Sequence, residues 1–394
     1  MTKPQDITDL TLCRAAFAFW VFVFYLDQFL HFAPALGPLA GLISHGYLGV
    51  DGFFMLSGLV LMHTHRAFDV DGMDGLFPKF ALPKWGALWR FYAQRLGRVY
   101  PVYFVGLVLL LGLVAAGVKQ GMLPLGASHF SLAALPRAFS LTQGWGGAAA
   151  AGSWYAPAWA LSDLWLAYLL FPLLAVLLTY FGRNVALQIA IALFPILGVI
   201  YYYTGYTFNL TTSFGLLRLF PDFLLGMTMY RMAMVVADYN GVRGFFLWAG
   251  VALTLVGAAF SWDIMVLPGI WSLIFACYLQ HDAQMAPFFG RSVGLLFLGR
   301  LSYCLYMSFA LAGMLVYSLF LHQAWALATH KALFAFCVTG ITFVLAVVLR
   351  GFVELPCRRL VHKWVQQAVP APAPEPAIVP TITDVPDSSP PSLF

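Results

Sequence analysis

The sequence predicts an all-α, multi-pass integral membrane protein, and three observations carry that prediction. Of the 394 residues, 61% are hydrophobic and only 9% are charged. A soluble domain averages about 25% charged residues, and so thin a polar covering leaves too much apolar side chain facing water. The apolar residues also fall into runs of roughly 20, the length that crosses a hydrocarbon core about 30 Å thick. Finally, the lysines and arginines crowd into alternate connections between those runs, the asymmetry expected of spanning helices.

Ten runs qualify as spans, near 11–32, 47–64, 100–117, 157–180, 184–204, 214–233, 244–261, 263–279, 300–321 and 332–353. Arg14 stands close to the start of the first run, and Ala15 to Phe32 lacks a small-residue cleavage site. The run therefore reads as a retained span and not as a cleaved leader. With the N-terminus inside, sixteen of the 21 basic residues fall on one face and only Lys119, Arg137 and Lys331 on the other, while Arg14 and Arg218 lie within spans. The positive-inside rule makes the crowded face cytoplasmic. An even number of spans then leaves both termini in the cytoplasm, and a bacterial inner membrane is the expected location.

The segments between spans differ in character. Residues 65–99 form a cytoplasmic connection ending in Trp85–Tyr100, whose Trp85, Trp89, Phe91 and Tyr92 suit an interfacial helix along the headgroups. Residues 118–156 form the longest external connection, rich in Gly and Ala near 144–152. It reads as a flexible connector or as a lid over a substrate. The membrane-embedded domain is taken as 1–365. The remainder, 366–394, is Pro-rich without helical periodicity, a composition that favours disorder or polyproline II.

Charge within a membrane is costly, so each intramembrane ionisable residue is a functional candidate. Arg14 reads as a site residue or as a snorkelling anchor. Arg95 and Arg98 stand i, i+3 and share a helical face. Two guanidiniums there suit bidentate binding of phosphate at the inner mouth of the third span, or simple positive-inside anchoring. Arg218 and Asp222 stand i, i+4 across Pro221, a spacing that allows an ion pair. Asp51 opens the second span and Asp163 lies in the fourth, and both are candidates for a polar cavity. Glu354 between Arg350 and Arg358 reads as a cytoplasmic charge cluster.

Other chemistries lack their signatures. The five cysteines form no C-x-x-C pair and read as packed thiols. No histidine pair has metal-ligand company such as H-E-x-x-H, so no metal site is expected. There is no P-loop, dinucleotide-binding glycine fingerprint or G-x-S-x-G elbow. Basic residues spread along one membrane face, a pattern that argues against nucleic acid as a partner.

Taken in order, Arg14 in the first span, GVDGFFMLSG at 49–58, RLGRVYPVY at 95–103, WALSDLWLAYLLFP at 159–172, RLFPDFLLG at 218–226, LGRLSYCLYM at 298–307 and VELPCRR at 353–359 resemble the acyltransferase-3 family of integral-membrane O-acyltransferases. The resemblance implies that Arg95 and Arg98 handle an acyl-CoA donor and that Arg14 is the family's first-span arginine. It implies transfer of an acyl group, acetyl being the expected one, from acyl-CoA to a hydroxyl of an envelope or secreted polysaccharide. A lipid-linked glycan is the related acceptor, membrane lipids are the surroundings, and no permanently bound cofactor is implied.

Two departures from the family pattern bear on mechanism. The family usually carries a histidine eleven residues after the first-span arginine, where this chain has Tyr25. Eleven residues advance a helix by about three turns, so Tyr25 is expected on the Arg14 face. The family also often carries a histidine seven residues after the serine of S-Y-x-x-Y, where this chain has Phe309. Tyrosine, with an ordinary pKa near 10, is a weak general base. The expected catalytic set is therefore Arg14, Tyr25, Asp51 and Asp163, with Tyr25 orienting the acceptor and a carboxylate assisting. The alternative is a non-catalytic relative acting as a membrane partner or transporter in glycan export.

Overall fold

The computed structural model describes residues 8–65, 85–119, 130–146, 154–155, 157–180, 183–211, 214–236, 241–279, 292–321 and 330–368. All regular structure among them is helical. The long helices are α1 (Thr8–Leu30), α2 (Gly49–Thr64), α3 (Trp85–Lys119), α4 (Ala158–Tyr180), α5 (Arg183–Tyr203), α6 (Gly215–Val236), α7 (Val242–Ala259), α8 (Asp263–Leu279), α9 (Val293–Leu321) and α10 (Lys331–Leu349). A π-turn at Arg350–Glu354 leads into α11 (Leu355–Ala368). Eight helices are long and apolar enough to cross a membrane, and two shorter apolar ones, Gln188–Tyr203 and Asp263–Leu279, occupy the other expected places. Of the expected tail, 366–368 continue α11, and 369–394, like most of the connection at 65–99, lie outside the described residues.

Helix ends sort into two faces. On one, His63 at the end of α2 hydrogen-bonds Tyr278 at the end of α8, at 3.0 Å, and Arg350 after α10 donates to the carbonyl of Arg300 near the start of α9. We call this the basic face, because it also carries Arg90, Arg95 and Arg98. On the opposite face, Lys331 donates to the last carbonyl of α1, Leu30, at 3.0 Å, satisfying one of the acceptors a helix end leaves open. Tyr47, just before α2, donates to Asp263 at the start of α8, at 2.5 Å.

The centre of the bundle is α2 and α6. Some 72% of each spanning window is buried, against 22% for α7 and 28% for the α10 stretch, which present their apolar sides outward. Two glycines set the α2–α6 crossing. A Cβ on Gly58 would stand 2.1 Å from the carbonyl oxygen of Phe223, and one on Gly226 only 1.9 Å from that of Met55. Small residues allow this backbone approach, the main source of helix affinity where lipid is as apolar as leucine.

One element differs from expectation. Residues 85–98 are not a separate interfacial helix but the first turns of α3, which runs 35 residues through Pro101. At 1.5 Å per residue that is about 50 Å, longer than a hydrocarbon core, so α3 projects from the basic face. α11 holds the projecting end: Val361 packs on Gly97, where a Cβ would meet it at 2.6 Å, and the Trp89 and Trp364 rings lie 5.6 Å apart. The aromatic residues still sit at that end, with Trp85 77% exposed.

Candidate functional site

The two helices carrying the candidate arginines bring them to one place. Arg14 from α1, with Arg95 and Arg98 from α3, lines a cavity of about 130 Å³ at the basic face. Ser57, Tyr168, Ser302, Tyr303 and Tyr306 supply its hydroxyls, and Phe53, Phe54 and Leu161 are among its apolar walls. Its walls come from α1, α2, α3, α4 and α9, so residues far apart in sequence converge there. The i, i+3 spacing puts both α3 guanidiniums in one cavity, as expected.

Arg95 is held by aromatic faces. Its guanidinium lies 5.7 Å from the centroid of Phe91 and 5.9 Å from that of Tyr168, an arrangement that favours a cation without neutralising it. Its Nε has no hydrogen-bond partner among the described residues. His65, just past the end of α2, stands with its ring 5.0 Å from Phe91. Burial and the nearby Arg95 push its imidazole down to about 4. His65 is thus neutral at physiological pH and adds no further positive charge beside Arg95.

A second polar cluster occupies the half of the bundle nearer the opposite face. Arg218, 1% exposed, donates Nε and Nη2 to the two oxygens of Asp51, both at 2.5 Å. It also donates to the carbonyls of Tyr47 at 2.7 Å and Leu210 at 3.1 Å. The spacing of Arg218 and Asp222 allows a pair within α6, but the structure corrects this. The guanidinium is taken bidentately by Asp51 of α2, and Asp222 contributes its field and not a hydrogen bond to it. Asp51 and Arg218 each lie about two turns before the glycine crossing of α2 and α6, so the packed helices bring the two side chains together.

Asp163 is also fully buried, and neither oxygen accepts a hydrogen bond from a described residue. Two glycines cradle it. A Cβ on Gly144 would meet Oδ1 at 2.0 Å, and one on Gly215 would meet Oδ2 at 2.2 Å. Gly144 belongs to the long connection between α3 and α4, which is seated on α4. Its N–H donates to Ser162 Oγ at 3.0 Å, and the Trp145 indole donates to the Ser162 carbonyl at 2.8 Å. That part of 118–156 packs directly over a candidate carboxylate.

Tyr25 does not share the arginine cavity. It lines a separate apolar groove of about 160 Å³ between α1, α9 and α10, with Phe22, Phe309 and Thr342. Tyr306 borders both this groove and the arginine cavity. The rings of Tyr25 and Phe309 lie 5.4 Å apart, so the two positions where a histidine was expected are neighbours. The Tyr25 hydroxyl feels the charge of Arg218. The helical angle alone placed Tyr25 with Arg14. In the bundle they are divided, because Tyr306 of α9 stands between the two spaces.

Several participants had no clear sequence signal. Trp159, with the Arg218 guanidinium 5.5 Å from its ring, reads in sequence as one apolar residue among many. Asp27 is occupied, accepting the N–H of Ala33 at 2.7 Å. Glu354 is buried and accepts from Arg350 at 3.3 Å, Arg358 at 3.2 Å and the Cys304 thiol at 3.3 Å. The cluster read at Arg350, Glu354 and Arg358 is therefore centred on a buried carboxylate. No group of three potential metal ligands occurs among the described residues.

No curated protein and no solved structure matches the chain. The family model for the acyltransferase-3 group, described as an acyltransferase domain, matches residues 7–351. That span takes in both polar clusters and every helix from α1 to α10. The all-helical membrane fold, the arginine cavity and this match lead to one conclusion: the chain belongs to the acyltransferase-3 family of membrane acyltransferases.

Proposed function

We propose that the protein transfers an acyl group, acetyl in the first instance, from acyl-CoA to a hydroxyl of an envelope or secreted glycan. The observation that carries this reading is the convergence of Arg14, Arg95 and Arg98 on one cavity. Guanidiniums bind phosphate bidentately, and the donor's phosphates suit the cavity mouth. The basic face is then cytoplasmic, in keeping with the positive-inside rule and with donor supply in a bacterial inner membrane. In the reaction the acceptor oxygen forms a bond to the thioester carbon, the carbon–sulfur bond breaks, and the acceptor's proton ends on the CoA sulfur.

Of the two carboxylates, Asp51 is committed to Arg218, whereas Asp163 keeps both oxygens free of hydrogen bonds from described residues. Asp163 is therefore the better candidate to assist the acceptor hydroxyl, and Tyr25 the better candidate to orient it. The test is acetyl-CoA turnover by the purified protein, together with the O-acetyl content of surface glycans with and without it. Turnover lost in Arg95→Ala is the expected result. An unchanged glycan and no turnover by the parent would overturn the proposal. The second reading, a non-catalytic membrane partner, draws on the ring-on-ring packing of Tyr25 and Phe309, which leaves no imidazole at either place.

A further inference from the structure

We infer that Arg358, from the helix after the last span, is part of the donor site and reads the phosphate at the nucleotide end of CoA. The inference rests on the reading above that the arginine cavity holds acyl-CoA, and it names the part of the donor that α11 recognises.

The placement comes from packing. Val361 sits on Gly97 of α3, one residue before Arg98. Arg358 and Val361 stand i, i+3 on α11, so they share a face. Val365, a further turn along that side, is buried. Arg358 is thus on the side of α11 turned toward the turn of α3 that carries Arg95 and Arg98. Both of those guanidiniums feel its charge.

A π-turn holds it there. The widened turn at Arg350–Glu354 buries the Glu354 carboxylate, which takes Arg350 on one oxygen and Arg358 on the other. Such turns occur often at functional sites. One carboxylate shared by two arginines leaves the mouth with excess positive charge, and packing like charges together costs free energy that an anion recovers. The side chain of Arg358 is 44% exposed, against 4% for Glu354, so it remains open to a ligand.

The direction of the donor follows from depth. Arg95 lines the cavity and is buried against Phe91 and Tyr168, while Arg358 lies beyond the lining and faces solvent. A thioester reaching toward Tyr306 leaves the pyrophosphate at the deeper arginines and the 3′-phosphate outermost. The outermost arginine then meets the outermost phosphate.

The experiment measures equilibrium binding of CoA and 3′-dephospho-CoA to the full-length protein in detergent. The parent is expected to prefer CoA by on the order of tenfold, the size of a charge-assisted contact. Arg358→Gln should lose that preference and bind both compounds as the parent binds 3′-dephospho-CoA. Arg358→Lys, which keeps a point charge and guards against misfolding, should retain most of it. Arg359→Gln, the adjacent exposed arginine, should leave it intact. A preference surviving in Arg358→Gln, or lost equally in Arg359→Gln, overturns the inference. A parent that binds CoA without preferring it overturns the inference alone. A parent that binds neither compound overturns the donor reading as well.

Discussion

The arginine cavity and the Arg218 cluster use the same side-chain types in opposite ways. In the cluster the cation is matched inside the protein: Arg218 spends every nitrogen on Asp51 and two carbonyls. In the cavity, Arg95 is propped by aromatic rings and its Nε lacks an acceptor among the described residues. A buried charge that is internally paired belongs to the architecture. One that is held in place but not neutralised keeps its charge available, which is the role proposed for Arg95 toward the donor. Sorting the membrane charges by pairing, and not by burial, is what separates the two regions.

That contrast is most severely tested at Asp51. Asp51→Ala leaves Arg218 buried without its bidentate partner and should cost about 3–5 kcal/mol. A thermal melt in detergent reads the loss, and a melt unchanged from the parent would mean the pair is not architectural. Arg95→Ala should behave in the reverse manner. The melt should move little, while acyl-CoA binding weakens by about 1.5–3 kcal/mol, as read by ligand titration. If Arg95→Ala instead unfolds the protein, the distinction between the regions collapses.

Asp163 belongs to neither pattern and sharpens the comparison. Gly215→Ala drives a methyl to within 2.2 Å of Oδ2, and overpacking of this kind costs about 1–3 kcal/mol. If Asp163 assists the acceptor, Gly215→Ala and Asp163→Asn should lower turnover to a similar extent, although only one removes the carboxylate. Full turnover in Asp163→Asn would return the residue to packing. A smaller effect is expected at Tyr25. Tyr25→Phe should reduce turnover several-fold if the hydroxyl orients the acceptor, within the roughly 0.5–1.5 kcal/mol of a neutral hydrogen bond. Tyr25→His, which faces Phe309 across the groove, should equal or exceed the parent. A collapse of activity in Tyr25→Phe would assign it the proton.

The smallest expected effect concerns acid. His65 titrates near 4 when folded, below its ordinary value of 6.5. Between those values the unfolded chain binds more protons, so stability rises with pH across the window. The contribution is complete above 6.5 and is lost as pH falls toward 4. His65→Asn should flatten this part of the melting-temperature profile. An identical profile in parent and variant would remove His65 from the account.

The spans were legible because hydropathy is a local property, and each run announces itself without knowledge of its neighbours. Even the pairing of Arg95 with Arg98 needed only the helical repeat. The Asp51–Arg218 pair was not legible, since 167 positions separate the partners and a plausible local partner, Asp222, stood one turn away. The division of Tyr25 from Arg14 was hidden for a related reason. A helical wheel gives the angle of each residue on α1, but Tyr306, the residue standing between them, comes from α9. The 85–98 segment was misread because aromatic and basic residues mark a headgroup layer equally well whether the helix lies along it or passes through it.

The α2–α6 crossing has a consequence for how this protein tolerates change. Where main chain meets main chain, no side chain exists to be resized, so a substitution at Gly58 or Gly226 has no compensating partner. Around them, positions facing lipid accept almost any apolar residue. A saturation library screened for folded protein should therefore return black columns at Gly58 and Gly226, against the permissive lipid-facing positions of helices such as α7. Those columns would mark the ruler that sets how far Asp51 stands from Arg218.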